Sequence, residues 1–410
     1  MVKMKLKCGL LGERLGHSYS KQIHAAIATY EYELYGVPRE KAAEMIKSGE
    51  FDGLNVTIPY KELAYSLCDE LDEFAKEAKS VNTVVHRGGK ICGYNTDVFG
   101  FMAMTERAGI SFCDKNVLIL GSGGTSKTAR LAAKKLGARS ISVCSRSGEI
   151  NYDNVYSLSD TEIIVNTTPV GMYPKNGECP IELARFEKCE GVVDVIYNPS
   201  KTALTASAEE LGIPAVTGLY MLAAQAWRAA EIFTGESLCR SLIDRAVKAV
   251  WQDMTNIVLI GMPGGGKSTV AARVGELLGR RVEDTDSIIR ERFGAPSDII
   301  KEKGEDEFRR IETAVLAELG RERGLIISTG GGIVEREENR LLMSQNGRVY
   351  LIERAIDKLD RSDRPLSFDV HALYERRRSR YEAFADVRID NNSSVDAAAE
   401  AIVRNFTDNQ

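Results

Sequence analysis

The densest chemistry in this 410-residue chain lies at Gly261-Met262-Pro263-Gly264-Gly265-Gly266-Lys267-Ser268-Thr269. The apolar run Ile257-Val258-Leu259-Ile260 precedes it and helical periodicity follows, so the glycines stand in a strand–loop–helix unit. In such a loop glycines let backbone N–H groups converge on phosphate oxygens, and the helix N-terminus adds partial positive charge. Lys267 is placed to neutralise β- and γ-phosphates, and the Ser268 hydroxyl to ligate Mg2+. The pattern predicts ATP, held by Gly264, Gly265, Gly266, Lys267, Ser268 and Thr269.

The next strand ends in Asp284-Thr285-Asp286. Asp284 suits the Mg2+ shell; Asp286 suits a substrate hydroxyl, which it can orient or deprotonate. Taken alone, such a pair also reads as a helix-capping turn. In Phe308-Arg309-Arg310-Ile311-Glu312 the spacing puts Arg309 and Glu312 on one helical face, so the carboxylate can orient the guanidinium. A further strand, Leu325 to Ser328, runs into Thr329-Gly330-Gly331-Gly332, whose bare backbone can approach a small ligand closely. The run Arg376-Arg377-Arg378-Ser379-Arg380 reads by itself as a solvated helix face.

With Arg364-Pro365-Leu366, these residues resemble the shikimate kinase family across 255–410. The resemblance implies that Asp286, Arg309, Gly331 and Arg377 hold shikimate. Arg364 would sit on a lid facing the phosphates and join Lys267 and Asp286 in catalysis, with Arg361 nearer the adenine. The register leaves Arg376 and Arg378 as alternatives to Arg377, and the stretch between Arg361 and Arg364 is short for the family. Shikimate is a carboxylate bearing hydroxyls, so a guanidinium pair can clamp one end while an aspartate aligns the reacting hydroxyl.

A second glycine-rich loop, Gly121-Ser122-Gly123-Gly124-Thr125-Ser126, follows the strand-like Asn116-Val117-Leu118-Ile119-Leu120. Its last position is Ser where the dinucleotide fingerprint has Gly or Ala, so the pattern alone leaves a plain glycine-rich turn open. After the next strand, Ser140 to Cys144, comes Ser145-Arg146-Ser147 rather than the acid that an NAD ribose takes. An arginine between serines suits a 2′-phosphate, hence NADP(H).

Ahead of that loop stand Gly16-His17-Ser18-Tyr19-Ser20, Asn55-Val56-Thr57-Ile58-Pro59-Tyr60-Lys61, Val81-Asn82-Thr83 and Gly93-Tyr94-Asn95-Thr96-Asp97. Behind it come Asn166-Thr167-Thr168-Pro169-Val170-Gly171-Met172, Asp194-Val195-Ile196-Tyr197-Asn198-Pro199 and Gly218-Leu219-Tyr220-Met221 through Gln225. Singly these are turns, caps and surface polar groups. In this order they resemble shikimate dehydrogenase over residues 5 to 250. The resemblance implies a pocket of Ser18, Ser20, Asn55, Thr57, Lys61, Asn82, Asp97, Tyr197 and Gln225. It also implies NADP contacts from Gly121, Gly123, Gly124, Thr125, Ser145, Arg146 and Thr167, with Gly218 and Met221 beside the nicotinamide. Lys61 would supply the proton that the C3 oxygen gains when hydride arrives, and Asp97 would hold the ammonium. The family has room for another helix and strand between Arg146 and Asn166, which this chain lacks. Two alternatives stay open: an NAD-using quinate/shikimate dehydrogenase, or a shikimate-binding module without hydride transfer, each joined to the same kinase.

Positioning these groups calls for three α/β lobes. The expected order is a substrate lobe (1–100 and 218–252), a Rossmann-like dinucleotide lobe (101–217) and a P-loop, NMP-kinase-like parallel-sheet domain (255–410). An amphipathic helix from Leu238 to Trp251 is expected just before the seam. Composition agrees: 43% apolar and 28% charged residues are globular proportions, and a net charge of −5 argues against a nucleic-acid surface. No run approaches the roughly 20 apolar residues of a membrane span, and the apolar start is too short for a signal peptide. Eight scattered cysteines without C-x-x-C pairs point to a reducing compartment, the cytoplasm, and four distant histidines argue against structural zinc. The expected partners are small molecules, with neither nucleic acid nor membrane. An oligomer is compatible with the sequence but not derivable from it.

Overall fold

A computed structural model describes residues 6–16, 18–360 and 369–408. The chain divides into two compact units. One comprises residues 1–172, 178–197 and 204–250; the other comprises 173–177, 198–203 and 251–410.

The first unit holds two sheets. Strands β1 (Lys7–Gly12), β2 (Glu31–Gly36), β3 (Gly53–Val56), β4 (Glu70–Leu71), β5 (Thr83–Arg87) and β6 (Lys90–Tyr94) form a mixed sheet in the order β2-β1-β3-β5-β6-β4. Strand β1 runs parallel to β2 and β3, while β5 is antiparallel to both β3 and β6. Strands β7 (Asn116–Leu120), β8 (Ser140–Cys144), β9 (Ile163–Asn166), β10 (Gly191–Asp194) and β11 (Ala215–Val216) make an all-parallel sheet ordered β11-β10-β9-β7-β8. Near-continuous apolar runs such as Val117 to Leu120 are what a parallel strand covered on both faces requires. The period-2 alternation sends Val117 and Ile119 into one core and Leu118 and Leu120 into the other. Each such fully buried side chain contributes roughly 1.5–3 kcal/mol.

Two helices complete this unit's pocket wall. Thr96–Arg107 is capped by Asn95, whose side chain accepts from Val98 N, and Leu219–Thr234 packs against it. A Cβ on Gly100 would meet Met221 O at 2.6 Å, so only glycine permits the close approach of these two helices.

The second unit's sheet contains β12 (Asn256–Ile260), β13 (Val282–Asp284), β14 (Ile326–Ser328), β15 (Gly347–Glu353) and β16 (Val387–Asp390), ordered β13-β14-β12-β15-β16 and parallel throughout. Ile257 and Leu259 face one apolar cluster, Val258 and Ile260 the other. In both parallel sheets the glycine loop leaves a strand flanked on both sides, at the carboxyl edge where open α/β sheets bind ligands.

The helix expected from Leu238 to Trp251 spans Ser241–Met254 instead. Leu238 N donates to Glu231 Oε1 at 3.0 Å and Trp227 Nε1 donates to Cys239 O at 3.1 Å, ties to the preceding helix; Cys239 O and Arg240 O also accept from Leu242 N and Ile243 N in the turn that leads into the helix. All eight cysteines are free thiols, with Cys8, Cys92, Cys144 and Cys189 buried as small core residues. Among the described residues no helix is long and apolar enough to cross a membrane.

Candidate active sites

The first unit contains a cavity of about 480 Å³ lined by Ser18, Ser20, Asn55, Thr57, Lys61, Asn82, Asp97, Thr125, Tyr197, Gly218, Met221 and Gln225. Lys61 opens the Lys61–Leu67 helix at the end of the turn after β3, and Asp97 lies in the first turn of Thr96–Arg107. Their Nζ and Oδ2 atoms are 2.6 Å apart, with both side chains largely shielded from solvent. Asn82 organises the floor. Its Nδ2 donates to Asp97 Oδ1 at 2.8 Å and Thr96 Oγ1 at 3.0 Å, and its Oδ1 accepts from Thr96 N at 2.7 Å. Asp97 is thus held by an ammonium on one oxygen and an amide on the other. Ser18 and Ser20 stand with their hydroxyls 3.1 Å apart, and Ser20 N donates to Ser18 Oγ in a local turn; the N-cap of the Ser20–Ile27 helix is Tyr19, and neither serine caps it through its side chain.

Asn55 lines the cavity, yet its polar atoms are engaged internally. Oδ1 accepts from Tyr32 at 2.8 Å, and Nδ2 donates to Thr83 Oγ1 at 3.1 Å and Asn82 O at 3.3 Å. Tyr32, Thr83 and Thr96 therefore belong to the site's supporting network. Thr96 adjoins Asp97 in sequence and was within reach of inspection; Tyr32 carried no signal, because an aromatic on a strand reads as core. Arg14 also lines the cavity, exposed and without an ion-pair partner among the described residues.

The cofactor loop occupies the end of β7. Gly121 has φ +102°, and a Cβ there would meet Thr167 Oγ1 at 2.8 Å, while Gly123 and Gly124 face open space. Thr167 spends its hydroxyl on Leu120 O at 2.7 Å, bracing the loop from below. Buried Asp194 accepts from Asn166 Nδ2 at 3.1 Å and shapes the turn that carries Thr167. Ser145 is half-buried and Arg146 exposed at the end of β8, and neither lines the 480 Å³ cavity. Ser145 N donates to Ile150 O at 3.0 Å, closing this segment into a short loop. Open glycine backbone before a helix and an exposed guanidinium past the next strand fit a phosphorylated dinucleotide.

In the second unit Lys267 is buried and donates to Gly261 O at 2.9 Å and Met262 O at 3.0 Å. Gly264 and Gly266 have φ +75° and +87°. Gly265 is buried among them, and Ser268 and Thr269 are exposed at the helix start. Ser268 Oγ donates to Asp284 Oδ2 at 2.7 Å. Asp284 also caps the Thr285–Phe293 helix by accepting from Ser287 N at 3.0 Å, so the capping turn forms while its other oxygen stays turned to Ser268. Burial works to raise the Asp284 pKa, but these hydrogen bonds outweigh it and hold the carboxyl below its ordinary value. The loop's nested N–H groups fit a polyphosphate, and the paired Ser268 and Asp284 oxygens fit a hard cation.

Asp286 lies in the first helical turn rather than on the strand end and has no hydrogen-bond partner among the described residues. Burial and then the charge of Asp284 push its pKa up. Arg309 pairs with buried Glu312 through Nη1 and with Glu305 at 3.1 Å through Nη2, while its Nε is buried without an acceptor. Arg377, 6% exposed, is the member of the basic run that turns inward: Nη1 donates to Gly331 O at 3.0 Å and Nε to Glu335 at 2.6 Å. Arg376 and Arg378 are largely exposed. Glu335, which also receives Arg376 and Arg380, was not foreseen; nothing in its local sequence signals that three guanidiniums converge there. Arg361 and Arg364 lie outside the described residues.

Comparison with known proteins follows the same division. A family model for the shikimate dehydrogenase substrate binding domain matches residues 10–84, and one for shikimate kinase matches residues 263–407. A shikimate dehydrogenase (NADP(+)) of Clostridium perfringens is 33% identical over 257 residues, covering 57% of this chain and 94% of that protein. The crystal structure of a chorismate mutase/shikimate 5-dehydrogenase fusion protein from Clostridium acetobutylicum superposes with TM-score 0.57 at 34% identity, over 60% of this chain and 97% of that one. A Thermus thermophilus shikimate 5-dehydrogenase in complex with NADP(H) and shikimate gives TM-score 0.54 at 27% identity, over 59% and 98%. With these matches set on the geometry above, the chain belongs to the shikimate dehydrogenase family and carries a shikimate kinase domain in its C-terminal region.

Proposed function

We propose that this chain is a bifunctional enzyme that reduces 3-dehydroshikimate to shikimate with NADPH and then phosphorylates shikimate to shikimate 3-phosphate with ATP. The observation that carries the first activity is the 2.6 Å Lys61–Asp97 pair, set in a cavity otherwise lined by hydroxyls and amides. Such a lining suits a polyhydroxylated ring, with Ser18 and Ser20 available to its carboxylate and Gln225 to its hydroxyls, while Asn82 fixes Asp97 beneath them. Bound NADPH supplies a hydride, and bound Mg2+·ATP supplies a phosphoryl group. Lys61 polarises the carbonyl oxygen and gives it a proton as it becomes a hydroxyl; Asp97 keeps the ammonium aimed at that oxygen. Gly218 and Met221 line the cavity together with Thr125 of the glycine loop.

In the second unit Arg309 and Arg377 would clamp the acid's carboxylate, each aimed by a glutamate. Asp286, with its raised pKa and unsatisfied oxygens, is suited to take the proton of the attacking hydroxyl. Lys267 would leave its loop carbonyls for the phosphates, and Ser268 with Asp284 would hold Mg2+. The lone Arg146 supports NADP over NAD. Domain limits of 1–252 and 255–410 belong to the same proposal.

The direct test gives the purified protein 3-dehydroshikimate, NADPH, Mg2+ and ATP, and omits one component at a time. NADPH oxidation should proceed without ATP, and ADP should form from added shikimate without NADPH. NADH supporting the faster rate, with quinate also oxidised in the reverse direction, would replace the NADP reading. Shikimate binding without any nicotinamide oxidation would replace the dehydrogenase reading with a binding module.

A further inference from the structure

A guanidinium stands unclaimed beside the phosphate loop. Arg354 follows directly on β15, which pairs with β12 so that Leu351 is in register with Ile260. The pairing brings Arg354 to the edge where the loop begins. A Cβ built on Gly266, the residue before Lys267, would lie 3.6 Å from Arg354 Nη1 and 2.8 Å from Asn391 Nδ2. Asn391 Nδ2 donates to Gly265 O at 2.8 Å and so braces the loop on that same side.

Other arginines of this unit are neutralised: Arg309 by Glu312, Arg377 by Glu335, Arg273 by Asp396 and Arg292 by Glu318. Arg354 has neither ion-pair nor hydrogen-bond partner among the described residues, and its Nε is buried without an acceptor. The adjacent Glu353 pairs with Arg388 instead. The Arg354 Nε has shed water without gaining an acceptor, which is a cost, and the rest of the guanidinium stays open to an arriving anion. The anion for which this loop's converging N–H groups are shaped is a polyphosphate.

We propose that Arg354 is a second phosphate-directed cation of the nucleotide site, contacting the triphosphate from the Gly266 side while Lys267 serves its β,γ end. The inference rests on the kinase reading above. Arginine's planar fork can bind phosphate oxygens in pairs, which lysine cannot do.

The test uses the 410-residue chain and measures ADP affinity by calorimetry, together with KM for ATP and for shikimate. Arg354→Gln should weaken ADP binding and raise KM for ATP about ten- to thirtyfold, the size of one charge-assisted contact, with KM for shikimate and the thermal midpoint unchanged. Arg354→Lys should recover part of the affinity, which a purely structural role would not predict. Unchanged ADP affinity in a folded Arg354→Gln protein overturns the proposal, as does equal loss of ATP and shikimate affinity. Wild-type protein that binds ADP yet phosphorylates no shikimate sinks the kinase reading alone, and the Arg354 comparison is then decided on ADP affinity. Wild-type protein that binds no nucleotide sinks both.

Discussion

At the scale of single residues, the dehydrogenase cavity shows how a few side chains acquire roles that their types alone do not give. A lysine is ordinarily solvated; Lys61 is drawn in because Asp97 waits for it, and Asp97 is itself fixed by Asn82. Removing the ammonium should therefore hurt chemistry more than binding. Lys61→Ala is expected to slow NADPH oxidation with 3-dehydroshikimate by about 10²–10⁴-fold, the usual range for a lost general acid. Titration calorimetry should still detect shikimate, since the serines and Gln225 remain. An undiminished reductase rate would remove Lys61 from the chemistry.

At the scale of elements, the wall behind Asn55 is an aromatic stack. His24, on the Ser20–Ile27 helix, stacks on Tyr32 with ring centroids 3.9 Å apart, and its Nδ1 lies 2.6 Å from Tyr30 Oη. Tyr32 in turn holds Asn55. Burial lowers the His24 pKa from 6.5 to about 3, against a weaker opposing effect of Asn55, whose side-chain oxygen favours the protonated ring. Between those two values the unfolded chain binds a proton that the folded chain refuses. The stability from the neutral ring is thus complete above pH 6.5 and drains away as the pH falls toward 3, amounting to about 2 kcal/mol by pH 5. The denaturant midpoint for loss of reductase activity should drop between pH 7.5 and 5 in the wild type. It should drop distinctly less in His24→Phe, which keeps a ring but cannot titrate. Equal slopes would show that the ring is not held neutral.

At the scale of the whole molecule, two chemistries are assigned to separate sheets with separate cores. Mutations without shared partners act independently. Lys267→Ala should abolish ADP formation from shikimate while 3-dehydroshikimate reduction stays within about twofold of wild type. Paired assays on Lys267→Ala and Lys61→Ala check this. A reductase rate that falls with the kinase rate would mean that one machinery depends on the integrity of the other. In the proposed sequence the reduction's product is the phosphorylation's acceptor, which would give both activities a reason to share a chain.

Much of this was legible before any coordinates. Parallel strands announce themselves as short apolar runs, and phosphate loops must spell out their glycines because only glycine adopts the backbone they need. Both loops and the strand at Asn116–Leu120 were therefore visible as pattern, whereas the Lys61–Asp97 pairing came only with the family resemblance. Tertiary packing alone decided the rest. Which arginine of the 376–380 run turns inward depends on helix phase against the Gly331 carbonyl, not on residue type. That Asn55 spends its amide on the protein's own groups, that Glu335 gathers three guanidiniums, and that Arg354 reaches the phosphate loop are all contacts between residues distant in sequence. Local propensity carries no information about such meetings, because they form only when separate elements pack.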